Sequence, residues 1–163
     1  MPDKPGKQTI LVPVDFSAFS EAAVLKACEF SSCMNLPVVI LHVVHDPSQL
    51  PGYYVKMAEK KNLVRIEDIA GEMLDDFMQA MINANPGLDS LAAAETVLVT
   101  GLPVTRILEV AERSNASMIV MGSQGRTGLS HMMLGSKAEQ VVRLAPIPVT
   151  IVKVNNEASH VPE

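Results

Sequence analysis

Five short apolar runs punctuate this chain: Gln8–Val14, Pro37–Val44, Thr96–Thr100, Ser117–Met121 and Pro148–Val154. None is long enough to cross a bilayer as a helix, and their length and β-branching favour strands buried on both faces. The segments between them carry helical spacing and helix-start signals. Strands that alternate with helices imply an α/β domain with an open, mostly parallel five-stranded sheet and helices on both faces. Ligands of such sheets bind beyond the carboxyl ends of the strands, where the strand order reverses.

The intervening segments read as follows. Ser17 is a good N-cap for a helix running to about Met34, with Phe19, Ala23, Ala27, Phe30 and Met34 expected on its inner face. Asp46–Tyr54 carries Pro47, Pro51 and Gly52 and reads as a loop. A long amphipathic helix is expected from about Val55 to Asn83, with Ile66, Ile69, Met73, Phe77 and Met81 inward, and Asn85-Pro86-Gly87 stops it. Pro103 suits the first turn of the next helix, and Gly135 or Ser136 opens the last, which ends before Pro146. One domain over residues 1–154 and a loose tail over 155–163 are expected.

The loop after the fourth run is the chemically informative piece. Gly122-Ser123-Gln124-Gly125 is followed, nine residues on, by Gly135-Ser136. Glycine lets backbone N–H groups come close to a ligand, and a helix N-terminus adds unpaired N–H groups and partial positive charge. Strand, glycine loop and helix start together suit phosphate. Ser136 is expected to donate its hydroxyl to phosphate, to cap the helix, or both. Arg126 and Lys137 are the local cations, readable as solvated surface charges or as phosphate contacts. The array is neither a P-loop, since GxxxxGK[ST] is absent, nor a dinucleotide fingerprint, since Asp-Phe-Ser follows the first strand.

Asp15 ends the first strand. It reads either as a turn or cap aspartate or as a carboxylate facing the crevice, ready to accept from a ribose hydroxyl or from adenine. His42 near the end of the second strand reads as structural, and His131 as exposed. No base is spaced against Ser123 or Ser136, so the chain offers a binding site and little catalytic apparatus.

Composition narrows the partners. A net charge of −5 argues against a general nucleic-acid-binding face. Cys28 and Cys33 are not a CxxC pair and read as reduced thiols. The polar start of the chain carries no signal pattern, so a cytoplasmic location is expected.

These residues resemble the universal stress protein family over positions 8–153. The resemblance rests on Ile-Leu-Val-Pro-Val-Asp-Phe-Ser at the start, Leu-His-Val ending the second strand, Gly101-Leu-Pro103, Met-Gly-Ser-Gln-Gly-Arg at 121–126, Leu-Gly-Ser at 134–136 and the Pro-Val of the last strand. It implies a Rossmann-like adenine-nucleotide-binding fold with strand order 3-2-1-4-5. ATP, or ADP or AMP, is the implied ligand, and phosphate chemistry makes Mg²⁺ the candidate metal. Asp15 would then sit by the adenosine beside Pro13 and Val14, and backbone groups at Val43 would read the adenine edge. Met121, Gly122, Gln124, Gly125, Gly135 and Ser136 would line the ribose and phosphates, flanked by Arg126 and Lys137. The family's habit of pairing last strands implies a homodimer through Pro148–Val154. One departure stands out: Ala138 replaces a hydroxyl often found two residues after the serine. A hydrogen bond to a charged group is worth about 1.5–3 kcal/mol, so its loss weakens a site without abolishing it.

The leading expectation is therefore an ATP-binding regulatory module of stress response that acts on an unknown protein partner. A slow ATPase or phosphotransferase and a nucleotide-independent interaction protein are the alternatives.

Overall fold

A strand forms over Thr9–Pro13 (β1) because three consecutive apolar residues, Ile10, Leu11 and Val12, are buried on both sides. This computed structural model describes residues 6–45, 65–126 and 133–154. After β1 come α1 (Ala18–Met34), β2 (Val38–Val44), α2 (Ile66–Ala84), α3 (Asp89–Ala92), β3 (Glu95–Thr100), α4 (Pro103–Arg113), β4 (Ala116–Gly122), α5 (Ser136–Leu144) and β5 (Val149–Val152). The sheet has the order β3-β2-β1-β4-β5, and every described pair is parallel. Both were expected. The strand order reverses between β1 and β4, which places the crevice there.

Alternation along the strands divides the core into two layers. Ile10, Val12, Val38, Ile40 and Val120 pack on one face with α1 and α2. Leu11, Val39, Leu41, Ile119 and Met121 pack on the other with α4 and α5. Burial on both faces explains why β1 and β2 read as continuous apolar runs.

Helix ends follow the chain's own signals. Ser17 caps α1, its Oγ accepting from the Ser20 N–H, and Asn35 ends the helix in the left-handed region at φ 53. Pro103 occupies the first turn of α4. Gly101, at φ 143, makes the turn before it, and its N–H donates to the Val44 carbonyl.

Four expectations change. The inner face of α1 is Ser20, Ala23, Val24, Ala27, Cys28 and Ser31, while Met34 is 48% exposed. Small side chains bring the helix close to the sheet, so ranking by apolar bulk rotates the face by about one position. The face of α2 includes Ile69, Phe77 and Met81, completed by Ala70, Leu74 and Met78, with Ile66 and Met73 half-buried. The one-turn helix α3 is too short to show periodicity and is anchored by Leu91. β5 is shorter than its apolar run. Residues 155–163, the Asp46–Tyr54 loop, the first part of the expected long helix and His131 lie outside the described residues. Cys28 is buried and Cys33 exposed, both as free thiols. Among the described residues no helix is long and apolar enough to cross a membrane.

Candidate functional site

The turn after β1 does more than reverse the chain. Phe16 sits at φ 65, a left-handed conformation that costs an ordinary side chain roughly 1–2 kcal/mol. Its ring is held against His42, with centroids 4.3 Å apart, and against Phe77 at 5.6 Å. His42 is 2% exposed, and its Nδ1–H donates to the Val14 carbonyl at 2.8 Å. Burial pushes this imidazole below its ordinary pKa, against the pull of the Val14 carbonyl and the Asp15 charge. His42 is thus structural, as expected, and it props the turn that aims Asp15.

Asp15 holds its own turn, as one of its two readings has it, and lines the crevice. Its Oδ1 accepts from the Ser17 N–H (3.2 Å), the Ser17 hydroxyl (2.6 Å) and the Ser20 hydroxyl (2.7 Å). The Ser20 hydroxyl in turn accepts from the Asp15 N–H at 2.9 Å. Its Oδ2 reaches across the crevice and accepts from the Arg126 N–H at 2.9 Å. Burial pushes the carboxyl up, but the bonds from Ser17, Ser20 and Arg126 outweigh it, so the group lies below its ordinary value and is ionised.

The glycine loop is closed onto the protein by the same economy of space. A Cβ at Gly122 would lie 2.7 Å from the Phe19 Cβ and 2.9 Å from its carbonyl carbon. A Cβ at Gly125 would lie 2.8 Å from the Asp15 Oδ2. Gly122 therefore lets α1 pack against β4, and Gly125 lets Asp15 reach the loop. The close approaches that these two glycines permit in the structure are of the protein to itself. The ends of the loop are fastened by Gly135 N–H to the Ser123 carbonyl (2.8 Å) and by Gln124 Nε2 to the Met133 carbonyl (3.3 Å). Gly135 is the N-cap of α5, so Ser136 occupies the first helical position and does not cap the helix.

All twelve residues singled out in the sequence line one cavity of about 250 Å³: Pro13, Val14, Asp15, Val43, Met121, Gly122, Gln124, Gly125, Arg126, Gly135, Ser136 and Lys137. Val43 contributes backbone. The Leu41 carbonyl faces β1 and accepts from the Val14 N–H. Alternation gives the Val43 carbonyl the same side, one step beyond the last β1 register pair, Pro13–Leu41. It therefore looks over the end of β1 into the cavity.

Sequence reasoning did not place Ser20, Leu41, His45, Pro103 and Ile107 on this lining, whereas His42 was expected at the crevice edge and Ala138 at the position of an absent hydroxyl. His45 follows β2 directly, so the rule that ligands gather at strand carboxyl ends had the power to find it. Pro103 and Ile107 come from α4, whose approach to the crevice is a matter of packing. Ala138 is 4% exposed and packs with Met121 and Val141.

The charges favour an anion. Asp15 is the one carboxylate on the described lining, facing Arg126 and Lys137 in a chain of net charge −5. The N-terminus of α5 adds partial positive charge. Lys137 Nζ spans the mouth to His45 Nε2 at 2.9 Å. Asp15 already accepts four hydrogen bonds, which makes it a poor metal ligand. Among the described residues no group of three or more His, Cys, Asp or Glu side chains is placed to hold a metal ion.

A family model described as the Universal stress protein family matches residues 7–153. The universal stress protein YxiE of Bacillus subtilis is 33% identical over 149 residues, which covers 88% of this chain and 97% of that protein. Universal stress protein MJ0577 of Methanocaldococcus jannaschii is 26% identical over 159 residues, 90% of this chain and 95% of its own. Its solved structure superposes with a TM-score of 0.65, covering 92% of this chain and 98% of that one. The fold is shared at 20% identity and TM-score 0.59 by the universal stress protein of Archaeoglobus fulgidus, solved in complex with dAMP; the match covers 90% and 98% of the two chains.

Proposed function

The chain belongs to the universal stress protein family, and from that premise we propose that it is a regulatory module that binds an adenine nucleotide, ATP foremost, in the crevice between β1 and β4. The observation that carries this reading is the convergence of three strand ends on one cavity with cations at its rim. Asp15 closes β1, Val43 stands near the end of β2, and the Gly122–Arg126 loop leaves β4 toward the start of α5. The dAMP complex of the Archaeoglobus fulgidus relative supports the adenine class.

In this reading the Val43 backbone reads the base. Asp15 orients the ribose while keeping the loop closed. The Gly125 backbone, Ser136 and Lys137 hold the phosphates. The bound nucleotide brings the charge that neutralises Arg126 and Lys137, and any divalent ion arrives on its phosphates. With Asp15 occupied by four donors, no carboxylate of the described lining is free to activate water. The site favours retention of a nucleotide over turnover, and binding shifts the protein toward the form that holds it better.

A homodimer through β5, a cytoplasmic location and an unidentified protein partner belong to the same proposal. The half-buried β5 residues at the sheet edge and the exposed Val142 and Leu144 of α5 support pairing there.

Isothermal titration of purified protein with ATP, ADP and AMP tests the binding. Submillimolar affinity for at least one is expected. No binding of any at millimolar ligand overturns the proposal.

A further inference from the structure

The crevice mouth holds a pair that the nucleotide reading leaves unexplained. His45, the first residue after β2, is half-buried, and its Nε2 lies 2.9 Å from Lys137 Nζ on the first turn of α5. The ammonium has only protons to offer, so Nε2 accepts and the imidazole is neutral. Burial and the adjoining Lys137 charge hold its pKa below the ordinary histidine value. Among the described residues, the other groups of the mouth supply no anion for this pair. Asp15, from the β1–α1 turn, is bound to Ser17, Ser20 and the Arg126 N–H. Arg126 is cationic, His42 is buried on β2, and α4 contributes only Pro103 and Ile107.

We infer that His45 is a phosphate-reading residue of the site, and that nucleotide binding is coupled to uptake of one proton at its Nε2. This rests on the nucleotide reading and deepens it. A phosphate entering between His45 and Lys137 offers oxygens that only donors can satisfy. Nε2 then exchanges its acceptor role for a donor role by taking a proton from solvent, and Lys137 turns its N–H groups from the histidine to the phosphate. The imidazole goes to imidazolium, and the ammonium keeps its charge. Affinity for phosphorylated ligand therefore rises as the pH falls, whereas affinity for adenosine does not. A one-unit rise in the histidine pKa on binding corresponds to about a tenfold gain in affinity across its titration.

The test is calorimetric titration of the wild type and His45→Gln with ATP and with adenosine between pH 6 and 8, each in two buffers of different ionisation enthalpy. The ionisation of ATP itself is common to both proteins and cancels in their difference. The expected result is a larger proton uptake by the wild type than by the variant with ATP, equal uptake with adenosine, and a loss of ATP affinity in the variant of about tenfold at pH 6. ATP binding with the same proton uptake in both proteins overturns this inference alone. Failure of both ligands to bind the wild type overturns the nucleotide reading and this inference with it.

Discussion

Asp15 Oδ2 accepts the Arg126 N–H at 2.9 Å across 111 residues of sequence. This single contact joins the turn after β1 to the loop after β4, the two strands between which the sheet reverses its order. It fixes the width of the crevice, and the other three hydrogen bonds to the carboxylate fix the position of Asp15 itself.

Asp15→Asn replaces a charged acceptor that draws on several donors. Hydrogen bonds to charged groups are worth about 1.5–3 kcal/mol, so ATP affinity is expected to fall at least tenfold and stability by an amount of that order. Titration calorimetry and urea denaturation measure the two losses. Retention of full affinity removes Asp15 from the site.

The same carboxylate sets an acid limit on stability. Its folded pKa lies below the ordinary value of 3.8, so it stabilises the fold above that value. The contribution disappears as the pH falls from there through the folded pKa. The stability gap between wild type and Asp15→Asn, followed by urea denaturation from pH 7 downward, should hold constant to about pH 5 and close below it. A gap that widens toward acid contradicts the assigned hydrogen bonds.

Gly122→Ala drives a methyl group into the backbone of α1 at Phe19. Overpacking of this kind costs about 1–3 kcal/mol, to be read in the denaturation midpoint. Gly125→Ala meets the Asp15 side chain instead. Its expected effect is weaker nucleotide binding with less loss of stability. Equal stability losses at the two positions contradict this division of roles.

Ser20→Ala leaves the half-buried Asp15 N–H without its hydroxyl acceptor and removes one donor from Oδ1. The cost of an unsatisfied buried group is about 1–3 kcal/mol. Ser17→Ala also removes the α1 cap. Denaturation of the single and double variants should give a non-additive pair, because both act on the same carboxylate.

Strand alternation assigns the outward N–H groups of β5 to Val149 and Ile151, since the Pro148 and Val152 carbonyls accept from Ile119 of β4 and from Ser123 just after it. Ile151→Pro should therefore spare the β4–β5 ladder while removing a donor from the free edge. Sedimentation velocity should show a dimer for the wild type, as proposed, and a monomer for the variant. A dimer that survives places the interface elsewhere.

Local rules suffice for much of this molecule. Five buried strands, the Ser17 cap, the Pro103 helix start and the glycine loop are legible because each depends on residues near one another in the chain. The same rules bring Asp15, Val43 and the Gly122–Gly125 loop to one crevice, since strand carboxyl ends face one edge of a parallel sheet; Pro13, Val14, Met121 and Gln124 entered through the family resemblance. That Gly122 and Gly125 leave no room for a side chain was decided by the packing of α1 against β4 and of Asp15 against the loop. The inner face of α1 was decided by how closely small residues let it approach the sheet. The left-handed Phe16 is held by a ring stack on His42 that no local pattern encodes. The meeting of His45 with Lys137 spans 92 residues. Sequence periodicity records which way a residue faces along its own element; only tertiary packing sets which residue of another element it meets, and there the chemistry of the site is made.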